Sequence, residues 1–363
     1  MYLLVVLVFL LFILWKLVKP NTTSESFQAA WNDYLLYTQL STRLKVGIYK
    51  NWLNLNGLAL GEQFFQYCNV EIVLYNSVYK MLDELLVSKK IDVVFVTEAD
   101  YCLYLSKKLN ETAIDEKFLS KNKDHITSNF MSRRLFTLNS MYRVFIASNI
   151  KISKPDDIAG KTIQLTNITN NLYQLDKDLL KKVNYNKYYE SEEESDSLYG
   201  NINNIGLRMD GYFMDIDYPN KNMKMYSHYK NITMIDLYDS KKTFVNPDII
   251  LKQHIYLSKS KMKLDAYPEI IDRRKQTIDF YNLPYSPNEV NCYSYKVIGI
   301  TRDDIDDEWI FSFTKSISDN LSKIMNNMGL PQIKKKDLYR SKIHDILLPH
   351  RAVYNPDGYT FGV

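Results

Sequence analysis

Residues 70–101 read VEIVLYNSVYKMLDELLVSKKIDVVFVTEADY. Val70 to Tyr75 is a short apolar run rich in β-branched and aromatic residues, the length of a strand. Ser77 then stands where an N-cap is wanted, ahead of VYKMLDELLVS, whose apolar residues recur at helical steps. IDVVFV (91–96) is a second strand, and ADYCLYLSKKL after it is helical again. Strands that are apolar on both faces and alternate with helices predict a parallel sheet covered on both sides. The crossovers are right-handed by default.

The alternation extends in both directions. Upstream, LKVGIY (44–49) reads as a strand and GLALGEQFFQYC (57–68) as a helix. Downstream, YRVFIAS (142–148) is a fourth strand, and KTIQLT (161–166) starts a second alternating set. Helical NLYQLDKDLLKKV (171–183) follows, then an acidic stretch, ESEEESDS (190–197), whose like charges predict an exposed loop. GYFMDI (211–216) and ITMIDL (232–237) are further buried strands. A Pro-rich connector, YNLPYSPNEV, leads into the strand NCYSYKVIGIT (291–301). Asp307 to Met328 is a long amphipathic helix, with Trp309, Ile310, Phe313, Ile317, Leu321 and Ile324 on one face. Asp306, Asp307 and Glu308 at its start favour the helix dipole.

Length and composition bound the function. The 363 residues carry a net charge of +4, and the longest basic run, Lys334 to Lys336, reads as a solvated turn, so no nucleic-acid face is expected. Three widely spaced cysteines, Cys68, Cys102 and Cys292, give neither a disulfide framework nor a zinc site. Cys68 and Cys102 lie in apolar helical patterns and are expected as buried free thiols. No metal site, catalytic group or cofactor is expected.

The N-terminus points to a membrane. Residues 2–15 are uninterrupted apolar, and Lys16 and the stretch to Pro20 end the run. About 17 apolar residues is at the short limit for a span. No basic n-region and no small-x-small cleavage site accompany it, which favours an uncleaved anchor over a signal peptide. Residues 1–19 are therefore read as a transmembrane anchor and 20–42 as a neck. Lys16 and Lys19 favour a cytoplasmic body, whereas sequons at Asn21, Asn110, Asn167, Asn231 and Asn320 favour an extracytoplasmic or lumenal one. The expectation is the latter.

Two short motifs test for enzymes. Gly160-Lys161-Thr162 matches the tail of a phosphate loop, but Pro155 stands where its first Gly is required, and a strand follows where a helix is required. Nucleotide binding through it is excluded. Asp215-Ile216-Asp217 at a strand end matches the D-x-D pattern that holds Mn²⁺ and a sugar nucleotide, which keeps open a membrane-anchored glycosyltransferase. The five histidines form no H-E-x-x-H, and no G-x-S-x-G occurs.

Five segments, in order, resemble the TAXI group of TRAP-transporter solute receptors. They are KVGIYKNWLNLNGLALGEQF (45–64), the stretch 70–101, ISKPDDIAGKTIQL (152–165), DGYFMDIDYPN (210–220) and LLPHRAVYNPDGY (347–359). In the last, His350, Ala352, Tyr354 and Gly358 stand near the family's signature places. The chain departs from the family where Gly-rich loops become KNWLNLN (50–56) and TNITNN (166–171). The resemblance implies a type II periplasmic-binding-protein-like α/β fold of two three-layer lobes, residues 43–148 with 291–363 and residues 149–290. It implies a receptor closing on a small, anionic ligand such as a carboxylate or amino acid, with a transporter as partner. The loops expected at the cleft offer Tyr49, Asn51, Asn54, Asn56, Asn76, Ser77, Thr97, Glu98, Asp100, Asn167, Thr169 and Asn170 as ligand contacts. A third possibility keeps the fold but fills the pocket with Trp52, Leu55 or Tyr79.

Overall fold

The computed structural model describes residues 43–49, 68, 70–110, 115–165, 172–188, 204–238, 245–328 and 333–354. The expected anchor, the neck and the helix at 57–67 lie outside them. Among the described residues no helix is long and apolar enough to cross a membrane.

The first alternating set forms as read. Strands β1 (Leu44–Tyr49), β2 (Val70–Tyr75) and β3 (Val93–Thr97) are parallel, in the order β2-β1-β3. Helix α1 (Val78–Leu86) is capped by Ser77 and α2 (Glu98–Lys108) by Thr97, each side-chain oxygen accepting from an N–H in the first turn. Gly47 is required on β1: a Cβ there would lie 2.8 Å from Ile91 Cδ1.

Two strands outgrow their sequence signals. The fourth strand, β4, runs from Ser132 to Ser148, ten residues before the apolar YRVFIAS begins. Its first half is disguised in sequence by Arg133 and Arg134, which the tertiary structure accommodates. Arg133 pairs with Asp303, and the buried Arg134 guanidinium donates to the Tyr339 carbonyl. The other long strand, β10 (Glu289–Arg302), lies antiparallel beside β4 from Tyr293 to Arg302.

These two strands join two sheets of the same design. At one end, β10 continues the first sheet by pairing antiparallel with β3. At the other, β4 pairs antiparallel with β7 (Gly211–Ile216), beside which β5 (Thr162–Gln164) and β6 (Asn186–Tyr188) run parallel. The strand order is therefore β2-β1-β3-β10-β4 in one half and β6-β5-β7-β4-β8 in the other, with β8 (Ile232–Ile235) on the far side of β4. Each half holds three parallel strands, then an antiparallel strand arriving from elsewhere in the chain. A further strand, β9 (Ser258–Lys263), extends the second half by pairing with β10. This is a two-lobed α/β fold with β4 and β10 as the crossing strands.

The second half carries α4 (Tyr173–Leu179), α5 (Lys221–Tyr229), α6 (Pro247–Gln253) and α7 (Pro268–Tyr281). The first half adds α3 (Glu116–Asn129) and the long α8 (Asp307–Met328), which begins and ends where its apolar periodicity does. Alternation separates two cores on the two faces of the second sheet. Phe145, Ala147 and Phe213 pack into one cluster, while Val144, Ile146, Tyr212, Met214 and Ile216 pack into the other.

The stretch around Gly160-Lys161-Thr162 is a passage into the second lobe. A 3₁₀ turn (Pro155–Ile158) is tied by Asp157, whose carboxylate accepts from Ser153 N–H and Lys154 N–H. Gly160 then takes φ +73°, and β5 starts at Thr162. Of the cysteines, Cys102 and Cys292 are buried but Cys68 is only half-buried, in a bend ahead of β2, which corrects its reading as a buried helical thiol.

Candidate functional site

Register places the carboxyl ends of the strands of both lobes against each other. Tyr49 lies beside Tyr75, and Gly47 beside Val94, so β1, β2 and β3 end along one edge. Thr97, the last residue of β3, faces Val297 on β10. From the other lobe, Ile216 at the end of β7 faces Tyr142 on β4, which in turn faces Ser294 on β10. The two sets of strand ends thus meet β10 three residues apart. The carboxyl edge of an open α/β sheet is where such folds bind ligands.

Charged groups gather at that junction. Arg143 of β4, enclosed at 1% side-chain exposure, places its Nη2 2.6 Å and 2.7 Å from the two carboxylate oxygens of Asp176 on α4. Its Nη1 donates to Asp215 Oδ2 at 2.6 Å, across the β4–β7 ladder. The Phe213 ring lies 5.4 Å beneath the guanidinium. Burial opposes the Arg143 charge, but Asp176 and Asp215 outweigh it and hold the guanidinium protonated. Burial pushes the Asp215 carboxyl above its usual range; Arg143 opposes this, while Asp176 and Asp100 add to it. Asp100, at the start of α2, therefore shares this field from the first lobe. Tyr295 of β10 sits in the same field, its hydroxyl raised well above its ordinary pKa by burial and by Asp215. Beside them, His254 Nε2 lies 2.9 Å from Asp178 Oδ2, and its Nδ1 lies 3.1 Å from the Tyr256 hydroxyl.

The residues expected at the cleft are placed as follows. Tyr49, Asn76, Ser77, Thr97 and Asp100 lie along the one carboxyl edge. Asn76 and Ser77 are exposed, Tyr49 and Asp100 half-buried, and Thr97 buried. Thr97 Oγ1 accepts from Asp100 N–H and donates to Asp100 Oδ2, which fixes that carboxylate at the helix start. Glu98 is turned away from this group. It is fully buried, and its oxygens accept from Lys296 N–H, Ser341 Oγ and Lys342 N–H, tying the C-terminal segment to β10. Asn51, Asn54, Asn56, Asn167, Thr169 and Asn170 lie outside the described residues, as do Trp52 and Leu55. Tyr79 is exposed, with its ring 5.1 Å from that of Tyr104 and Lys108 Nζ 5.2 Å from its centroid.

The two carboxylates of the D-x-D pattern do not converge. Asp215 is committed to Arg143. Asp217, beyond the end of β7, is fully buried; its Oδ1 accepts from Asn220 Nδ2, and burial pushes its carboxyl up to about 7. Among the described residues no group of acidic, His or Cys side chains is arranged to hold a metal. Burial raises all three thiols, with Cys68 and Cys292 at about 12. His350 is buried: its N–H donates to the Arg134 carbonyl, and its Nδ1 accepts from Ala352 N–H.

Arg143, Asp176, Tyr256 and Tyr295 are residues of this candidate site that the sequence reading misses. The available signal is a charge where the pattern calls for an apolar side chain. Arg143 interrupts YRVFIAS, and Asp176 stands on the helical stripe of Leu172, Leu175, Leu179 and Leu180.

No family model and no curated protein matches the chain. Solved structures of low identity do. The Candida albicans CA3427 gene product, described as having the generic periplasmic binding protein fold, is 10% identical, with 79% of this chain and 76% of that chain covered at a TM-score of 0.40. The GluR0 ligand-binding core in complex with L-glutamate is 9% identical, covering 79% and 98%, at 0.39. The periplasmic aliphatic sulphonate binding protein SsuA from Escherichia coli is 10% identical, covering 80% of each chain, at 0.38. The fold assignment rests on the chain's own strand order: two α/β lobes, joined by two crossing strands, in a type II periplasmic-binding-protein-like arrangement.

Proposed function

We propose that this chain is a membrane-anchored solute-binding protein, held by residues 2–18, that closes its two lobes on a small amino acid. The observation that supports this most directly is the meeting of both sets of strand ends at β4 and β10, where Arg143, Asp176, Asp215 and Asp100 are gathered. Lobe closure about two crossing strands is a hinge motion.

The charge of the site bears on the ligand. Asp176 and Asp215 hold the Arg143 guanidinium, and Asp100 acts on Asp215 from the first lobe. An amino acid would direct its ammonium to these carboxylates and its own carboxylate to the free N–H groups of a helix N-terminus. A body on the extracytoplasmic or lumenal side, and a transporter as partner, belong to the same reading.

Thermal unfolding of the full chain in detergent, against a panel of amino acids, amines and carboxylates, tests it. Saturable stabilisation by an amino acid is expected, about 2.7 kcal/mol at one hundred times Kd. A shift only with Mn²⁺ plus a nucleotide sugar would reject this reading in favour of an anchored transferase.

A further inference from the structure

A small cavity of mixed lining lies within the second lobe, apart from the strand-end junction. It is lined by the turn at Ser153 and Lys154, by β8 with Asp236, and by Arg274, Thr277 and Tyr285 on and after α7, with apolar walls from Ile278 and Leu283, and it is partly open to solvent. Its interior admits about one water-sized sphere.

The hydrogen-bond accounting of its walls is unbalanced. The Arg274 side chain is only 5% exposed. Its Nη1 donates to the Met234 carbonyl, and its Nη2 reaches Asp236 Oδ2, Ser286 O and Glu289 O. Its Nε is buried and has no partner among the described residues. A buried N–H left unpaired costs about 1–3 kcal/mol, so an acceptor is called for. Asp236 does not supply it, because its Oδ2 is bonded to Arg274 and its Oδ1 accepts from Asn291 N–H. The lining carries two cations, Arg274 and Lys154, against the single carboxylate of Asp236. Lys154 Nζ lies 4.6 Å from the centroid of the Tyr281 ring and makes no ion pair among the described residues. Asp157, on the same turn, faces the N–H groups of Ser153 and Lys154 and is not part of the lining. A single acceptor of negative charge, one solvent molecule in size, matches the unpaired donor, the surplus cation and the volume together.

We propose that this cavity binds one small monovalent anion of chloride size, held by Arg274 Nε and Lys154. The ion pins the entry turn of the second lobe to α7. Thermal unfolding of the full chain in sodium chloride and in sodium gluconate at equal ionic strength tests it, gluconate being too large to enter. The expected result is a chloride-specific rise in Tm that saturates with concentration and is lost in Lys154→Met. Thr277→Val, which removes a lining hydroxyl at constant volume, is expected to weaken it. Crystals grown in bromide should show an anomalous peak within hydrogen-bonding distance of Arg274 Nε. Equal Tm in the two salts, or an undiminished rise in Lys154→Met, would overturn the proposal. So would a bromide peak without any rise in solution, which would mark an adventitious ion only.

Discussion

Replacing Asp217 by asparagine asks whether the second carboxylate of the D-x-D pattern is charged. Asp217 is fully buried, with one oxygen on Asn220 Nδ2 and the other, Oδ2, without a partner among the described residues. Burial carries its carboxyl from 3.8 to about 7, against the smaller opposing effect of the Asn220 hydrogen bond. Between those values the folded protein holds a proton that the unfolded chain has released. Stability from this group is therefore fully present below about pH 4 and is lost as pH rises through about 7. At about 1.4 kcal/mol per pH unit, the interval from 3.8 to about 7 is worth roughly 4 kcal/mol. The amide introduced by Asp217→Asn has the shape of the neutral acid at every pH, so the difference between variant and parent isolates this group from all other titrations. Urea unfolding of both proteins at pH 4.5, 6, 7 and 8 should give Asp217→Asn an advantage that grows by several kcal/mol across the series and then levels off. A difference that is the same at pH 4.5 and pH 8 would refute the reasoning. Stabilisation of the parent by Mn²⁺ at pH 8, abolished in the variant, would also refute it, because it would place an ionised Asp217 on a metal.

Arg143→Met leaves Asp176, at 0% side-chain exposure, without its counter-charge, and should cost about 3–5 kcal/mol in urea unfolding. Adding Asp176→Leu should recover most of that loss. Asp100→Asn keeps the acceptor for Thr97 Oγ1 but removes the charge, so affinity for an amino acid, measured by titration calorimetry, should fall about tenfold or more, equivalent to about 1.4 kcal/mol. Glu98→Ala strands Lys296 N–H, Ser341 Oγ and Lys342 N–H, at a cost of about 1–3 kcal/mol. It should also expose the segment around Arg340 and Lys342 to trypsin, read by mass spectrometry of the fragments.

The legible parts of the fold are those in which local pattern and tertiary environment agree. β1 and β2 run over LKVGIY and VEIVLY without a residue's difference, because both are built from the Val, Ile and Leu that strand propensity wants, and on β1 Leu44, Val46 and Ile48 are also buried. Ser77 is readable as a cap because an N-cap needs only its own helix. The illegible parts depend on partners far along the chain. The first half of β4 is paired along β10, and its two arginines are accommodated by Asp303 and the Tyr339 carbonyl, about 170 and 205 residues away. The sequence reading starts the strand only at Tyr142.

The same logic separates Glu98 from Asp100. Both stand in the first turn of α2, and as loop-end carboxylates they are equivalent in sequence. The Thr97 side chain turns Asp100 toward the junction of the lobes, while Ser341 and Lys342, brought back by the C-terminal segment, claim Glu98. Arg143 and Asp176 escape the sequence reading for a related reason. Each interrupts an otherwise apolar stripe, which a residue-by-residue reading discounts as an imperfection in a core element. Yet an enclosed charge is tolerated only when paired, so two lone charges on apolar stripes, of opposite sign and in neighbouring elements, imply each other. Applied to the chain, that rule joins YRVFIAS to NLYQLDKDLL through Arg143 and Asp176, and then to GYFMDI through Asp215. It marks the junction of the two lobes without reference to any loop.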